Sequence, residues 1–428
     1  MRGFIWGGAF TLTAMISGLI GVTVALKSSL PINLTPILEP IQALKEHGLS
    51  SLFFPVLETP INVLVMGIDR VADAQSSSAD MFGGRSDTIL LVRFQPQDRS
   101  IRILSIPRDS RVTIPGLGYD KINSANARGG VDLITEVLSQ NLNNVTIHRY
   151  VRVTTDAFRE LVDLVGGVEV YVPYDMQYTD VTQKLEIKLK QGKQTLNGEQ
   201  AEQFARFRND SLGDIGRVQR QQILIKALGK KLQSPRIIIR IPQLRQLLQK
   251  QIDTNLTKQE ILSLAAFCQG LDKENIKMVM LPGHYSRPEE YNLSYWIISS
   301  PEKNQVMEQY FELNSDSNGA YRYTRHSLNR IRIAIQNGTP NPELPVAVAK
   351  YLEKRDFRHV YLSKNSSLPT QTTQIIAQQG DYKSAQMLQR ILAFGEVDAS
   401  STGDLNSDLT IRVGADAQQL LEGNSFTR

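Results

Sequence analysis

Ile61-Asn-Val-Leu-Val-Met-Gly67, Thr88-Ile-Leu-Leu-Val-Arg-Phe94 and Ile101-Arg-Ile-Leu-Ser-Ile106 are the runs on which the fold turns. Each is short, aliphatic and rich in β-branched residues, the mark of a strand buried inside a sheet. Only Gln95 to Ser100, with Pro96 among them, separate the last two, so they predict an antiparallel hairpin. Outward from this nucleus the periods alternate. Val131 to Leu142 has helical spacing, Val145 to Val153 reads as strand, Asp156 to Val165 as helix and Val168 to Val172 as strand. Gly166-Gly167 stops that helix before the next strand. Asn197 to Phe207 and Val218 to Leu232 are helices, and residues 236–315 start helical and return to strand at Ile276 to Leu281. This order predicts an α/β class, a mixed central sheet flanked by helices.

The ends of the chain differ from this core. No charged residue occurs from Gly3 to Leu26, between Arg2 and Lys27. A helix of that length reaches roughly 36 Å at ~1.5 Å per residue, enough to span a bilayer core. A cleaved signal has a shorter apolar stretch and a small-residue cleavage site. Residues 1–27 are therefore expected to be a short cytoplasmic tail and an N-terminal transmembrane signal anchor. Residues 28–60, with Pro31, Pro36, Pro40, Pro55 and Pro60, read as a membrane-proximal spacer. The core domain is expected over 61–315, and the polar residues that begin near Asn314 give a linker at 316–329. Residues 330–428 then form a small α/β domain, with strands at Ile331 to Ile335, His359 to Leu362, Thr373 to Ile376 and Leu409 to Val413. Its helices are expected at Pro345 to Lys354 and Tyr382 to Phe394.

Composition narrows the chemistry. Of 428 residues 41% are hydrophobic and 21% charged, which is ordinary globular material. A formal charge of +5 does not demand nucleic acid and suits an enzyme that handles anionic headgroups. No helix-turn-helix with a basic recognition helix is present, so nucleic acid is not an expected partner. Cys268 is the only cysteine, which rules out an internal disulfide and a cysteine-based zinc site. It lies in an apolar, helix-like run and is expected to be a buried structural thiol.

Five segments place charged or polar residues beside strand ends and turns. They are Gly67-Ile-Asp69-Arg70, Gly84-Arg85-Ser86-Asp87-Thr88, Ser105-Ile-Pro-Arg108-Asp109, Lys121-Ile-Asn123, and Arg206-Phe-Arg208 with Asp214-Ile-Gly-Arg217-Val-Gln-Arg220-Gln221. Strand ends are where ligand groups gather in an α/β sheet. Asp69 and Asp87, if brought together there, offer hard oxygen ligands of the kind magnesium takes. Each aspartate alone also serves as a turn former or helix cap. Several arginines aimed at one point would grip a pyrophosphate bidentately and stabilise charge on its transferring phosphorus. Any single one is equally at home on a solvated surface. Arg206 and Arg208, two apart, both point inward only if the helix has ended, as Asn209-Asp-Ser-Leu-Gly213 suggests.

Together these segments resemble the LytR-CpsA-Psr family. The series Arg-Ser-Asp-Thr, Ser-Ile-Pro-Arg-Asp, Ile-Pro-Gly, Lys-Ile-Asn, Val-Gly-Gly-Val, Leu-Asn-Gly, Arg-x-Arg and Gly-Asp-x-x-Arg-x-x-Arg-Gln-Gln runs in the family's order across residues 61–226. Residues 330–416 resemble the C-terminal LytR-type domain often appended to such proteins. The resemblance implies an enzyme that moves a phosphoglycan from a polyprenyl-pyrophosphate lipid to peptidoglycan, outside the cytoplasm, with Mg2+. By the same likeness Asp69 and Asp87 would hold the metal. Arg85, Arg108, Lys121, Arg206, Arg208, Arg217 and Gln221 would bind the phosphates. Arg85, Arg108 and Asp214 would act in catalysis, Asp214 either orienting residues or accepting the acceptor's proton. Thr154 stands where the family usually has an aspartate, with Asp156 two places later; Asn126 stands where an aromatic is often found, and the segment from Arg70 to Gly84 is longer than usual. Residues 330–428 carry none of the matched motifs and are expected to be dispensable for bond chemistry. Two other readings use the same residues differently: a pyrophosphatase on polyprenyl-pyrophosphate lipids, and a non-catalytic membrane-anchored regulator or scaffold of the envelope.

Overall fold

A computed structural model describes residues 56–68, 81–180, 185–209, 213–232, 251–268, 271–313, 331–363 and 370–423. The apolar run Gly3–Leu26, Asp69 and the linker at 316–329 lie outside these residues. Among the described residues, no helix is long and apolar enough to cross a membrane.

The three deciding runs are strands β1 (Ile61–Ile68), β2 (Ser86–Gln95) and β3 (Ser100–Ile106). They pair antiparallel in sequence, β2 and β3 as the expected hairpin. A second, small hairpin follows, β4 (Arg111–Ile114) with β5 (Gly118–Lys121). Helix α1 (Asn123–Asn141) leads to β6 (Arg149–Thr154), which returns parallel to β1. Thr154, where the family pattern has another residue, caps α2 (Thr155–Leu164): its hydroxyl accepts from the Ala157 amide at 3.1 Å. Gly166 and Gly167 then turn the chain at φ +80° and +81°.

A subsidiary layer comprises β7 (Val168–Val172), β8 (Met176–Asp180), β9 (Leu185–Leu189) and β10 (Gly192–Leu196), then helices α3 (Gly198–Arg206) and α4 (Gly213–Leu232). The core closes with β11 (Ile252–Thr254), α5 (Lys258–Cys268), β12 (Ile276–Met280), β13 (Gly283–Tyr285), β14 (Trp296–Ile298) and α6 (Ser300–Phe311).

The central sheet is mixed and six-stranded, in the order β11-β6-β1-β2-β3-β12. Strand alternation gives it two apolar faces. Leu64, Met66, Leu91 and Leu104 pack with Ile134, Val137 and Leu138 of α1 and Met307 of α6. Leu90, Val92, Ile101 and Ile103 pack on the other face with Met278, Ile225 and Phe267. At ~1.5–3 kcal/mol per fully buried aliphatic side chain, this double coverage is the main stabilising term of the core. Cys268 belongs to the second face, and burial pushes its thiol up to about 11, as befits an unreactive structural residue.

Residues 333–423 form a second α/β layer: β15 (Ile333–Asn337), α7 (Glu343–Glu353), β16 (Val360–Leu362), β17 (Gln374–Ile376), α8 (Tyr382–Leu392), β18 (Glu396–Asp398), β19 (Leu409–Val413) and α9 (Gln419–Gly423). Its sheet runs β16-β15-β19-β17-β18 around a core of its own. This layer is also stitched to the first. The Met278 amide donates to Ala399 O at 2.7 Å and the Met280 amide to Ser401 Oγ at 2.9 Å. Gln219 Nε2 of α4 donates to Gly403 O at 2.9 Å, and Lys226 pairs with Asp398 at 2.6 Å. The segment after β18 thus covers the open edge of β12 and braces α4. These contacts bear on the expectation that residues 330–428 are dispensable for bond chemistry, which a truncation tests.

Candidate active site

The antiparallel pairings bring the end of β1, the start of β2 and the end of β3 to one margin of the sheet. The ladder slips there: Gly67 faces Thr88, but Ile68 faces Ser86, so Asp87 is the extra residue of a β-bulge. A bulge re-aims the side chain it carries. Gly67 permits the close pairing, since a Cβ there would come within 3.1 Å of Thr88 Cβ.

Arg108 approaches from the turn after β3. Its Nη1 lies 2.7 Å from Asp87 Oδ1. The turn is held by Ser110, whose amide and hydroxyl both donate to Pro107 O, and by the Asn123 amide, which donates to Arg108 O. Asp109 extends the charge pattern. Its Oδ1 lies 3.9 Å from Arg108 Nε and 3.1 Å from Lys121 Nζ.

Two more guanidiniums bear on Asp87. Burial works against its ionisation, yet Arg108, Arg217 and Arg208 together hold its carboxyl below the usual range. Arg217 is 2% exposed on α4. Arg208 lies just beyond α3, because Phe207 leaves helical geometry at φ −59°, ψ 134°. The helix therefore ends between Arg206 and Arg208, and the two part company. Arg206 Nη1 pairs with Glu202 Oε1 at 2.8 Å, a carboxylate 3% exposed that Arg159 also meets. Arg85 is exposed and makes no ion pair among the described residues. Gln221 is half-buried on α4, four residues after Arg217. Asp214 lies within α4 but its side chain is outside the described part, as Asp69 is altogether. Among the described residues, no group of three or more His, Cys, Asp or Glu side chains could hold a metal ion.

Some supporting residues were not foreseen. Arg220 is buried and donates to Phe207 O, which fixes the turn that releases Arg208. Its signal was the three-residue spacing from Arg217, which puts both on one helix face. Asn126 is another, noted in the sequence only as a departure. Its amide donates to Phe82 O at 2.9 Å and Gly84 O at 2.8 Å, tethering the segment that runs into Arg85 and Asp87. Asn126→Ala leaves two buried carbonyls without that donor, at a cost of about 2 kcal/mol, or roughly 4–8 °C in Tm. A thermal melt of the variant checks this, and an unchanged Tm refutes the tether.

With the geometry in hand, similarity to known proteins decides the family. Residues 44–312 match the family model of LytR_cpsA_psr. The chain belongs to the LytR-CpsA-Psr family. Residues 330–416 match a second model, described as the LytR cell envelope-related transcriptional attenuator. Among relatives, the polyisoprenyl-teichoic acid–peptidoglycan teichoic acid transferase TagV of Bacillus subtilis is 32% identical over 249 residues, 55% of this chain and 62% of that protein. The corresponding TagU of Oceanobacillus iheyensis is 33% identical over 254 residues, 58% of this chain and 73% of that protein. The crystal structure of B. subtilis TagV superposes with a TM-score of 0.50 at 29% identity, covering 60% of this chain and 98% of that one. The chain thus spans less than two thirds of the length of TagV as a whole protein.

Proposed function

We propose that this LytR-CpsA-Psr protein transfers a phosphoglycan from a polyprenyl-pyrophosphate carrier to a hydroxyl of peptidoglycan. The observation that carries the reading is the contact of Arg108 with the half-buried Asp87 carboxylate at 2.7 Å, which the charges of Arg217 and Arg208 also help hold ionised. Arg108, Lys121, Arg208 and Arg217 gather beside Asp87 and Asp109, a setting suited to an anionic ligand. A pyrophosphate is such a ligand, with oxygens spaced for guanidinium forks. The names of TagV and TagU describe transfer of an anionic polymer to peptidoglycan, which supports the same reaction class.

In the proposed step the acceptor hydroxyl oxygen bonds to the phosphorus that carries the sugar. The P–O bond to the bridging oxygen breaks, and polyprenyl phosphate leaves with the electron pair. Arg108, with Arg85 from the family pattern, stabilises charge on the transferring phosphoryl oxygens. Asp214 is the carboxylate that the pattern offers for the hydroxyl proton. Lys121, Arg208, Arg217 and Gln221 hold the leaving phosphate. The reading includes Mg2+ on Asp87 and Asp69. Asp87 fits it, being held ionised with only Oδ1 engaged in a hydrogen bond among the described residues. When bound, the ion would neutralise pyrophosphate oxygens as a Lewis acid. The same reading anchors the protein by Gly3–Leu26, with the remainder outside the cytoplasm.

The test is the full chain in detergent with a short-chain polyprenyl-pyrophosphoryl glycan, Mg2+ and peptidoglycan fragments, read by mass spectrometry. The expected products are a glycan phosphodiester on the acceptor and one polyprenyl phosphate per transfer. Free glycan phosphate alone would mean hydrolysis, and an inert, unbound lipid would refute the reading altogether.

A further inference from the structure

The hairpin β4–β5 carries residues that the phosphate cluster does not use. Arg111 pairs across it with Lys121, and Thr113 with Tyr119. Val112 and Ile114, the alternate residues, are buried in the core. Arg111, Thr113, Tyr119 and Lys121 therefore share the opposite face. Tyr119 is 64% exposed, and Leu117 at the hairpin's tip is 48% exposed.

A second segment meets this face. The Arg111 guanidinium carbon lies 3.9 Å from the ring centre of Tyr119, 4.7 Å from that of Tyr291 and 5.9 Å from that of Tyr295. Tyr291 and Tyr295 are themselves edge to face at 5.4 Å. A diagonal Arg–Tyr contact on one hairpin is ordinary cross-strand packing. Here three rings from two segments converge on one cation, and among the described residues Arg111 makes no ion pair. The cluster also adjoins the phosphate site. Lys121 Nζ is 5.8 Å from the Tyr295 ring centre and 3.1 Å from Asp109 Oδ1. The Trp296 amide donates to Asp109 O at 2.9 Å, which fixes the tyrosine segment to the loop that bears Arg108.

We propose that Arg111, Tyr119, Tyr291 and Tyr295 form a subsite for the anionic saccharide chain carried by the donor lipid. The C–H face of a pyranose ring is apolar and weakly positive, so it stacks on the negative face of a tyrosine ring. Arg111, a cation without a carboxylate partner among the described residues, supplies charge for phosphate groups along that chain. A neutral acceptor glycan would leave this charge unanswered, and the subsite's continuity with Lys121 and Arg108 suits sugars joined to the bound pyrophosphate. The proposal rests on the phosphotransferase reading above.

The experiment measures binding by the full chain of two lipids: a short-chain polyprenyl-pyrophosphoryl monosaccharide, and the same lipid extended by three sugar-phosphate units. Tyr119→Ala and Arg111→Gln should each weaken the extended lipid about tenfold, equivalent to about 1.4 kcal/mol. Both should leave the monosaccharide lipid within twofold of wild type. Tyr119→Phe should keep wild-type affinity for both, because the ring face remains. Arg208→Ala should weaken both lipids alike. If Arg208→Ala behaves so while Tyr119→Ala and Arg111→Gln discriminate nothing, the subsite is overturned and the phosphate reading stands. Equal loss of both lipids in Tyr119→Ala also overturns it, since the patch would then serve the fold or the headgroup. If Arg208→Ala binds both lipids like wild type, the phosphate reading falls, and the subsite with it.

Discussion

Arg208→Ala lowers turnover on a polyprenyl-pyrophosphate substrate by roughly ten- to hundredfold and leaves Tm nearly unchanged. Arg208 stands past the end of α3 and bears on Asp87, in the cluster with Arg108 and Arg217. Loss of a charge-assisted hydrogen bond costs about 1.5–3 kcal/mol. If the bond strengthens as charge gathers on phosphoryl oxygens, that cost appears in the rate. Arg208→Lys restores only part of it, because an ammonium cannot fork across two oxygens. Arg206→Ala should behave in the opposite way. Arg206 is paired with Glu202, a buried carboxylate that would be left to Arg159. Stability should fall by about 1–3 kcal/mol, with turnover within about threefold of wild type. Kinetics and melts on the three variants separate these effects. Equal loss of turnover in Arg206→Ala and Arg208→Ala, at unchanged Tm, would return Arg206 to the phosphate site.

The sequence exposed the sheet because its strands are buried on both faces. Continuous aliphatic runs such as Ile61–Gly67 and Thr88–Phe94 have few other uses in an α/β protein. What stayed hidden was short, polar or irregular. The β4–β5 hairpin alternates Arg111, Val112, Thr113 and Ile114 over four residues, too brief to register as a period. Helix α1 begins at Asn123, eight residues before the apolar spacing starts at Val131. Its first turns bury Asn123, Ser124, Ala125 and Asn126, none of them aliphatic signals. Gly129 and Gly130 then kink it, Gly130 at φ 64°, ψ −152°, so the apolar period restarts after the break.

The site was legible as a set of residue types and only partly as a geometry. Arginines beside strand ends pointed to a phosphate cluster, but spacing alone does not say which of them converge. The division between Arg206 and Arg208 depends on where one helix stops, and that depends on Arg220, buried thirteen residues further on, meeting the carbonyl of Phe207. The aim of Asp87 depends on a bulge, which is a property of two paired strands and has no local mark in either.

Removal of residues after Ser315 should cost more than a spare domain would. Three groups of the core depend on the segment from Asp398 onward. The amides of Met278 and Met280, on the outer edge of the sheet, lose Ala399 O and Ser401 Oγ. Val218, Met280 and Trp296 lose Leu405 from their apolar cluster, a partial burial worth less than the ~1.5–3 kcal/mol of a fully buried side chain. Helix α4, which carries Arg217, loses the braces at Gln219 and Lys226. A bare β12 edge invites pairing with another chain. The truncated protein should melt roughly 5–10 °C lower, as expected for a loss of about 3 kcal/mol. It should self-associate in light scattering and bind the polyprenyl-pyrophosphate lipid about tenfold more weakly. Gln219→Ala with Lys226→Ala, in the full chain, isolates the brace from the edge. That variant should weaken lipid binding by a few-fold without self-association, because β12 stays covered. A truncated protein that stays monomeric, melts like wild type and turns over at the same rate would show that the contacts on β12 and α4 carry no weight, and that the bond chemistry needs only the first layer.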